Sequence, residues 1–229
     1  MPLTLVAAEH EDAPRIAEIH MAAFGSNAML LAQFPTPTVR DALKKSIELK
    51  ALADINDPKT TVLVVRESTS GAPSITAEPC RNEQGRGHRE QGKTIAFAKW
   101  AHPVSIDEGY TEPHWIWPTG TDLKILGDWA KKTEEAQCHT IGDCPCYRLT
   151  FIGTDPDYER RGAATMMVRW GMNQCKKNCV PAYLESTLEA ASFYRKLGFE
   201  AVEKISLQYE SGNSNISQVY EEICFVYNQ

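Results

Sequence analysis

The stretch Phe151–Cys179, FIGTDPDYERRGAATMMVRWGMNQCKKNC, decides how the chain is read. It contains the end of an apolar strand, a tight turn at Asp155-Pro156-Asp157 and then a helix. Ala164, Met167, Val168, Gly171, Met172 and Cys175 recur at the three-and-four spacing of one helical face, so that face packs on a sheet. Arg160, Arg161, Gly162, Ala163 and Ala164 stand where the first helical N–H groups have no intrahelical partner. Gly162 leaves room for close approach, and the helix dipole adds about half a positive charge, so the turn suits a phosphate, although a short Gly/Ala turn is by itself more often plain strand-to-helix punctuation. No Gly-Lys-Ser/Thr and no G-x-G-x-x-G accompanies it, which excludes two better-known phosphate loops.

A second segment lies downstream. In Val180–Val202, VPAYLESTLEAASFYRKLGFEAV, a short apolar strand (Ala182–Leu184) leads into a helix over about Leu188–Leu197, with Gly198 placed to end it. Together the two segments resemble the GNAT superfamily of acetyl-CoA-dependent N-acetyltransferases, in particular fungal-type and puromycin-type small-molecule enzymes. The family's Gln/Arg-x-x-Gly-x-Gly/Ala loop falls on Glu159, Gly162 and Ala164, and its Tyr-x-x-x-Gly-Phe helix end on Tyr194, Gly198 and Phe199. The resemblance is specific over about Leu149–Val202. Two positions depart from the pattern: Glu159 replaces Gln or Arg, and Thr187 stands where many members carry a cofactor-contacting Asn.

The resemblance implies an α/β fold, with a mixed, mostly antiparallel sheet of about seven strands flanked by four to five helices. It also implies acetyl-CoA as cofactor. The pantetheine arm would run along Ile152, Gly153 and Thr154. The pyrophosphate would sit on the amides of Arg160, Arg161, Gly162, Ala163, Ala164 and Thr165, with Glu159, Thr187 and Ser192 nearby and Arg160 and Arg161 supplying charge. Tyr194 takes the place of the general acid, a phenol that stays protonated at neutral pH. Glu185 is the first candidate for the base, directly or through water, and a carboxylate there equally suits an acceptor's ammonium. Glu112, His114 and His20 are weaker candidates.

The rest of the chain is compatible in order. Leu3–Ala7 reads as a strand. Ile16, Ile19, His20 and Ala23 trace a helical stripe begun at Pro14, and His20 on it reads as a packed core histidine before a base. Thr38 is the expected N-cap of a helix Val39–Ala53. Thr60–Glu67 (TTVLVVRE) is the clearest strand. Residues 68–92 are almost free of apolar side chains and read as a flexible loop. The strand Lys93–Trp100 is separated from the next, Tyr147–Thr154, by an insertion over 102–143 carrying His114-Trp115-Ile116-Trp117 and a helix Asp122–Gln137. Trp100, Trp115 and Trp117 are candidates for the acceptor pocket, by cation–π stacking on an amine. The equal alternative for the insertion's aromatics is that they staple it to the body. Ala201–Tyr209 and Gln218–Tyr227 form a closing hairpin.

At 229 residues with formal net charge −6, the composition is that of one domain spanning 1–229, and the acidity argues against a nucleic-acid partner. With neither a signal-like start nor an eighteen-residue apolar run, the expectation is a cytoplasmic protein without a membrane span, a monomer or homodimer acting on a small-molecule amine; a protein lysine or N-terminal acetyltransferase and a non-catalytic acyl-CoA-binding module stay open as alternatives. Seven cysteines are expected reduced. The Cys144-Pro145-Cys146 spacing does not match structural zinc sites, so no metal is expected.

Overall fold

The computed structural model describes residues 2–68, 92–210 and 217–228. The strands are β1 (Leu3–Ala7), β2 (Thr60–Glu67), β3 (Lys93–Ala101), β4 (Tyr147–Thr154), β5 (Ala182–Thr187), β6 (Glu200–Glu210) and β7 (Ser217–Tyr227). They form one seven-stranded sheet in the order β1-β2-β3-β4-β5-β7-β6. Every pairing is antiparallel except β4 with β5. The helices are α1 (Ala13–Phe24), α2 (Ala28–Gln33), α3 (Pro37–Ile55), α4 (Leu123–Thr140), α5 (Ala163–Asn178) and α6 (Ala191–Lys196). That is the mixed α/β sheet expected, with six helices among the described residues instead of four to five. The helix missed is α2, six residues capped by Asn27, whose side chain accepts from the amides of Met29 and Leu30.

Other boundaries move for local reasons. Thr36, not Thr38, caps α3, because Pro37 fits the first helical position and lets the Thr36 hydroxyl reach the amide of Val39. Asp122 lies just outside α4 as its cap and accepts from the amides of Lys124 and Ile125. The helix expected from Leu188 starts only at Ala191. The loop expected over 68–92 lies, but for its two ends, outside the described residues.

One sheet face is covered by α5. Its buried stripe of Ala163, Met167, Val168, Gly171 and Cys175 packs with Leu63, Val65, Ala96, Ala98, Leu149, Leu184 and Phe225. Trp100 belongs here, which corrects its assignment to an acceptor pocket. It is fully buried, its indole N–H donates to the carbonyl of Met167 at 3.3 Å, and its ring fills the space that Gly171 leaves open. The strand alternation that turns Lys99 to the other face sends Trp100 to this one. The other face carries α1 and α3 over Val62, Val64 and Phe97, and α4 over Tyr183, Ile205, Cys224 and Val226.

Candidate active site

The turn after β4 has the conformation its residues permit. Asp155 caps a short 3-10 turn, Pro156–Tyr158, and Arg160 and Gly162 then adopt positive φ, +61° and +94°. Gly162 is the residue before α5, and an added Cβ there would meet no described residue within 4 Å. The described residues therefore leave the front of the helix start open. The first amide to bond back is that of Met166, to the Gly162 carbonyl at 3.1 Å. Those of Ala163, Ala164 and Thr165 precede it, with no side-chain cap at the helix start. A concave backbone site with this polarity fits a pyrophosphate. Arg160 and Glu159 are exposed beside it. Arg161 is partly engaged elsewhere, bonded to Glu67 at 2.8 Å and lying 4.8 Å over the Tyr158 ring.

Beside this turn β4 and β5 part. They pair only at Tyr147–Ala182, Arg148–Tyr183 and Leu149–Leu184. From Thr150 onward β4 keeps its bonds to β3 alone, while Glu185, Ser186 and Thr187 bond to β7. The strands thus leave a cleft flanked on one side by Ile152, Gly153 and Thr154 and on the other by Glu185 and Thr187. Ser192 stands exposed on α6 beyond it.

Tyr194 is brought to this region by α6. Its side chain is 4% exposed and packs among Phe193, Phe199 and Phe225. Burial first, and then the charge of Glu222, raise its pKa above the ordinary phenol range. It remains a proton donor at any physiological pH. Glu185 accepts a 2.8 Å charged hydrogen bond from Arg148 at the apex of the cleft, while the Nε of Arg148 is buried without a partner.

On the α1/α3 side a small cavity is lined by His20, Lys50, Asp54, Lys99, Trp115 and Phe151, among others. Its charges are paired: Lys99 reaches Asp54 at 3.0 Å and Glu112 at 2.6 Å, and Lys50 binds both acids. Burial lowers the pKa of Lys99, against the pull of Asp54 and Glu112. Trp115 and Trp117 stack at 4.7 Å, and Trp117 packs on Phe34. Trp115 meets Phe151 of β4 edge-on, so the pair fastens the insertion to α2 and α3 while Trp115 also walls the cavity. Burial drops the His20 pKa to about 4, leaving a neutral imidazole. Glu112 is committed to the two lysines, and His114 is exposed.

The residue that sequence reasoning missed is Glu222. It lies on β7 directly opposite Thr187, so both side chains rise on the face that carries Glu185. Tyr220 donates to its Oε1 at 2.7 Å and is itself bonded by Asn27 at 3.0 Å. Burial, strengthened by the charge of Glu185 and offset by Tyr220 and Arg148, raises its pKa to about 7. In the sequence it was one of two adjacent glutamates in an alternating strand, with no signal to separate them.

Residues 125–201 match the family described as "Acetyltransferase (GNAT) domain". A stretch of 42 residues, 18% of the chain, is 45% identical to the probable acyltransferase SID5 of Ajellomyces capsulatus and spans 31% of that protein. Among solved structures, the histone acetyltransferase HPA2 and related acetyltransferase from Corynebacterium glutamicum superposes with TM-score 0.61 at 16% identity, covering 100% of this chain and 97% of that one. The polyamine N-acetyltransferase of Drosophila melanogaster, which forms N-acetylagmatine, gives 0.55 at 12% with both chains fully covered. NAA60 of Arabidopsis thaliana with a bisubstrate analogue gives 0.53 at 14%, covering 99% and 97%. At these identities the structural likeness establishes the fold.

Proposed function

We propose that the chain, of which residues 125–201 match a GNAT acetyltransferase domain, moves an acetyl group from acetyl-CoA to a primary amine of a small molecule by direct transfer. The observation that carries this reading is the parting of β4 and β5 next to the open Gly162 turn. One feature takes an extended arm and the other a diphosphate, and they lie on consecutive segments of chain.

The thioester supplies the activated acetyl group. The chain's own groups do the rest. The amides of Ala163, Ala164 and Thr165 and the charges of Arg160 and Arg161 hold the phosphates. Ile152, Gly153 and Thr154 line the arm, Thr187 and Ser192 flank it, and backbone N–H groups of the parted strand polarise the carbonyl. Tyr194 gives its proton to the departing sulfur. Glu185, held by Arg148, meets the incoming ammonium. The acetylagmatine-forming neighbour supports a cationic amine as the acceptor class, and Glu185 and Glu222 on one face of β5 and β7 favour the same.

Calorimetry with acetyl-CoA and with coenzyme A tests the first half, and coenzyme A release across panels of amines and of peptides tests the second. We expect micromolar binding and turnover with small amines. Absence of any binding heat overturns the reading. Turnover confined to peptides replaces the small-molecule acceptor with a protein one.

A further inference from the structure

Resting on that function, we propose that Glu222 is the catalytic base, the group that takes the proton from the acceptor ammonium bound between it and Glu185. Its two oxygens are differently disposed. Oε1 is fixed by the Tyr220 hydroxyl, which the Asn27 amide orients in turn. Among the described residues no side chain is seen bonding Oε2. A carboxylate anchored by one oxygen, with the other left to a substrate, can accept a proton without moving.

Its surroundings agree. On its own strand it has Tyr220 and Cys224. From β5 come Glu185, Thr187 and Tyr183; from β4, Arg148; from α6, Tyr194; from β6, Ile205 directly opposite, with Glu203 beyond Cys224; and from α4, Trp129 against Tyr220. The one cation of this group, Arg148, is already bonded to Glu185. Two carboxylates with one paired cation leave a site that attracts a second cation, the ammonium. The two acids then divide the work. Glu185, neutralised by Arg148, orients the substrate. Glu222, whose pKa burial brings to about 7, is matched to proton transfer near neutral pH.

The step balances as follows. The ammonium R–NH3+ loses one proton to Oε2 of Glu222, which passes it to water. The freed lone pair forms the N–C bond to the thioester carbonyl, the C–S bond breaks, and the sulfur takes the Tyr194 proton. The phenolate left behind recovers a proton from the new amide nitrogen. The products are R–NH–CO–CH3, coenzyme A as thiol and one proton.

The test is the pH profile of kcat/KM in wild type, Glu222→Gln and Glu185→Gln, with acetyl-CoA affinity measured in each. Wild type is expected to show an acid limb near pH 7. Glu222→Gln loses that limb and about 10²- to 10⁴-fold in rate, with acetyl-CoA binding unchanged, and Glu222→Asp restores part of the rate together with the limb. Glu185→Gln keeps the limb and raises the KM for amine. A second variant, Tyr220→Phe, removes the hydrogen bond that favours the charged form and moves the limb to higher pH. A limb retained in Glu222→Gln overturns the assignment while leaving the acetyltransferase reading intact. A wild type that binds acetyl-CoA and acetylates no amine overturns both.

Discussion

The amide of Phe199 donates to the carbonyl of Tyr194 at 3.1 Å, and their rings sit 5.8 Å apart at 71°. With the Gly198 amide bonded to the Arg195 carbonyl at 3.1 Å, this is a Schellman closure of α6, complete with its apolar contact across the turn. It explains physically why Tyr, Gly and Phe occur together at this spacing: the glycine takes φ +91° so that the phenylalanine can return to brace the tyrosine. A Cβ at Gly198 would approach nothing closer than Tyr227 at 4.0 Å. The penalty of Gly198→Ala is therefore conformational, about 1–2 kcal/mol. Thermal unfolding should show a fall of roughly 2–8 °C, and an unchanged midpoint contradicts the closure.

Tyr194→Phe keeps that brace and removes only the hydroxyl. The variant should fold with wild-type stability within about 1 kcal/mol and bind acetyl-CoA normally, while kcat falls by roughly 10²- to 10⁴-fold. Because burial and the Glu222 charge raise the phenol's pKa, the wild-type rate should not decline through loss of this proton at any pH below about 10. An alkaline limb below pH 9 that disappears in Tyr194→Phe contradicts the environment described.

Two glycines of α5 and its turn separate binding from folding. Alanine at Gly162 meets no described atom within 4 Å but must adopt φ +94°, and its methyl enters the space proposed for the phosphates. We expect a cost of about 1–2 kcal/mol in stability and a loss of at least tenfold in acetyl-CoA affinity by calorimetry. Alanine at Gly171 places a methyl 2.2 Å from the buried Trp100 ring. That overpacking costs about 1–3 kcal/mol, seen as a lower unfolding midpoint, with affinity per folded molecule unchanged. The opposite pattern at either position removes the distinction between cradle and core.

Much of this was legible in the residues because the features are local. The strand Thr60–Glu67, the Gly162 turn and the Tyr194–Phe199 helix end each announce themselves within a few positions. What the sequence could not display depends on which residues face one another across strands. Trp100 and Lys99 are neighbours in an alternating strand, and only the position of α5 decides that Trp100 is core. Glu221 and Glu222 are equivalent in the sequence. The register that sets Glu222 opposite Thr187 and leaves Glu221 opposite Ser206 is what separates them. The α2 helix escaped because six residues between a Gly-Ser-Asn turn and a proline carry too little periodicity to register.

Glu222 also has a consequence for stability, independent of any substrate. Its folded pKa of about 7 lies above the ordinary 4.5. A raised carboxyl pKa means that the folded state holds the proton more tightly than the unfolded one. The associated stability is fully present below pH 4.5 and is lost as the pH rises through 7. The gap corresponds to about 3 kcal/mol of buried-charge penalty at pH 8. Glu222→Gln carries no charge to bury, so it should match wild type near pH 4.5 and exceed it at pH 8 by up to that amount. Denaturant titrations at the two pH values measure the difference. A variant less stable than wild type at pH 8 would mean that the ionised carboxylate is well solvated, and that the cleft beside Tyr194 is wetter than its packing implies.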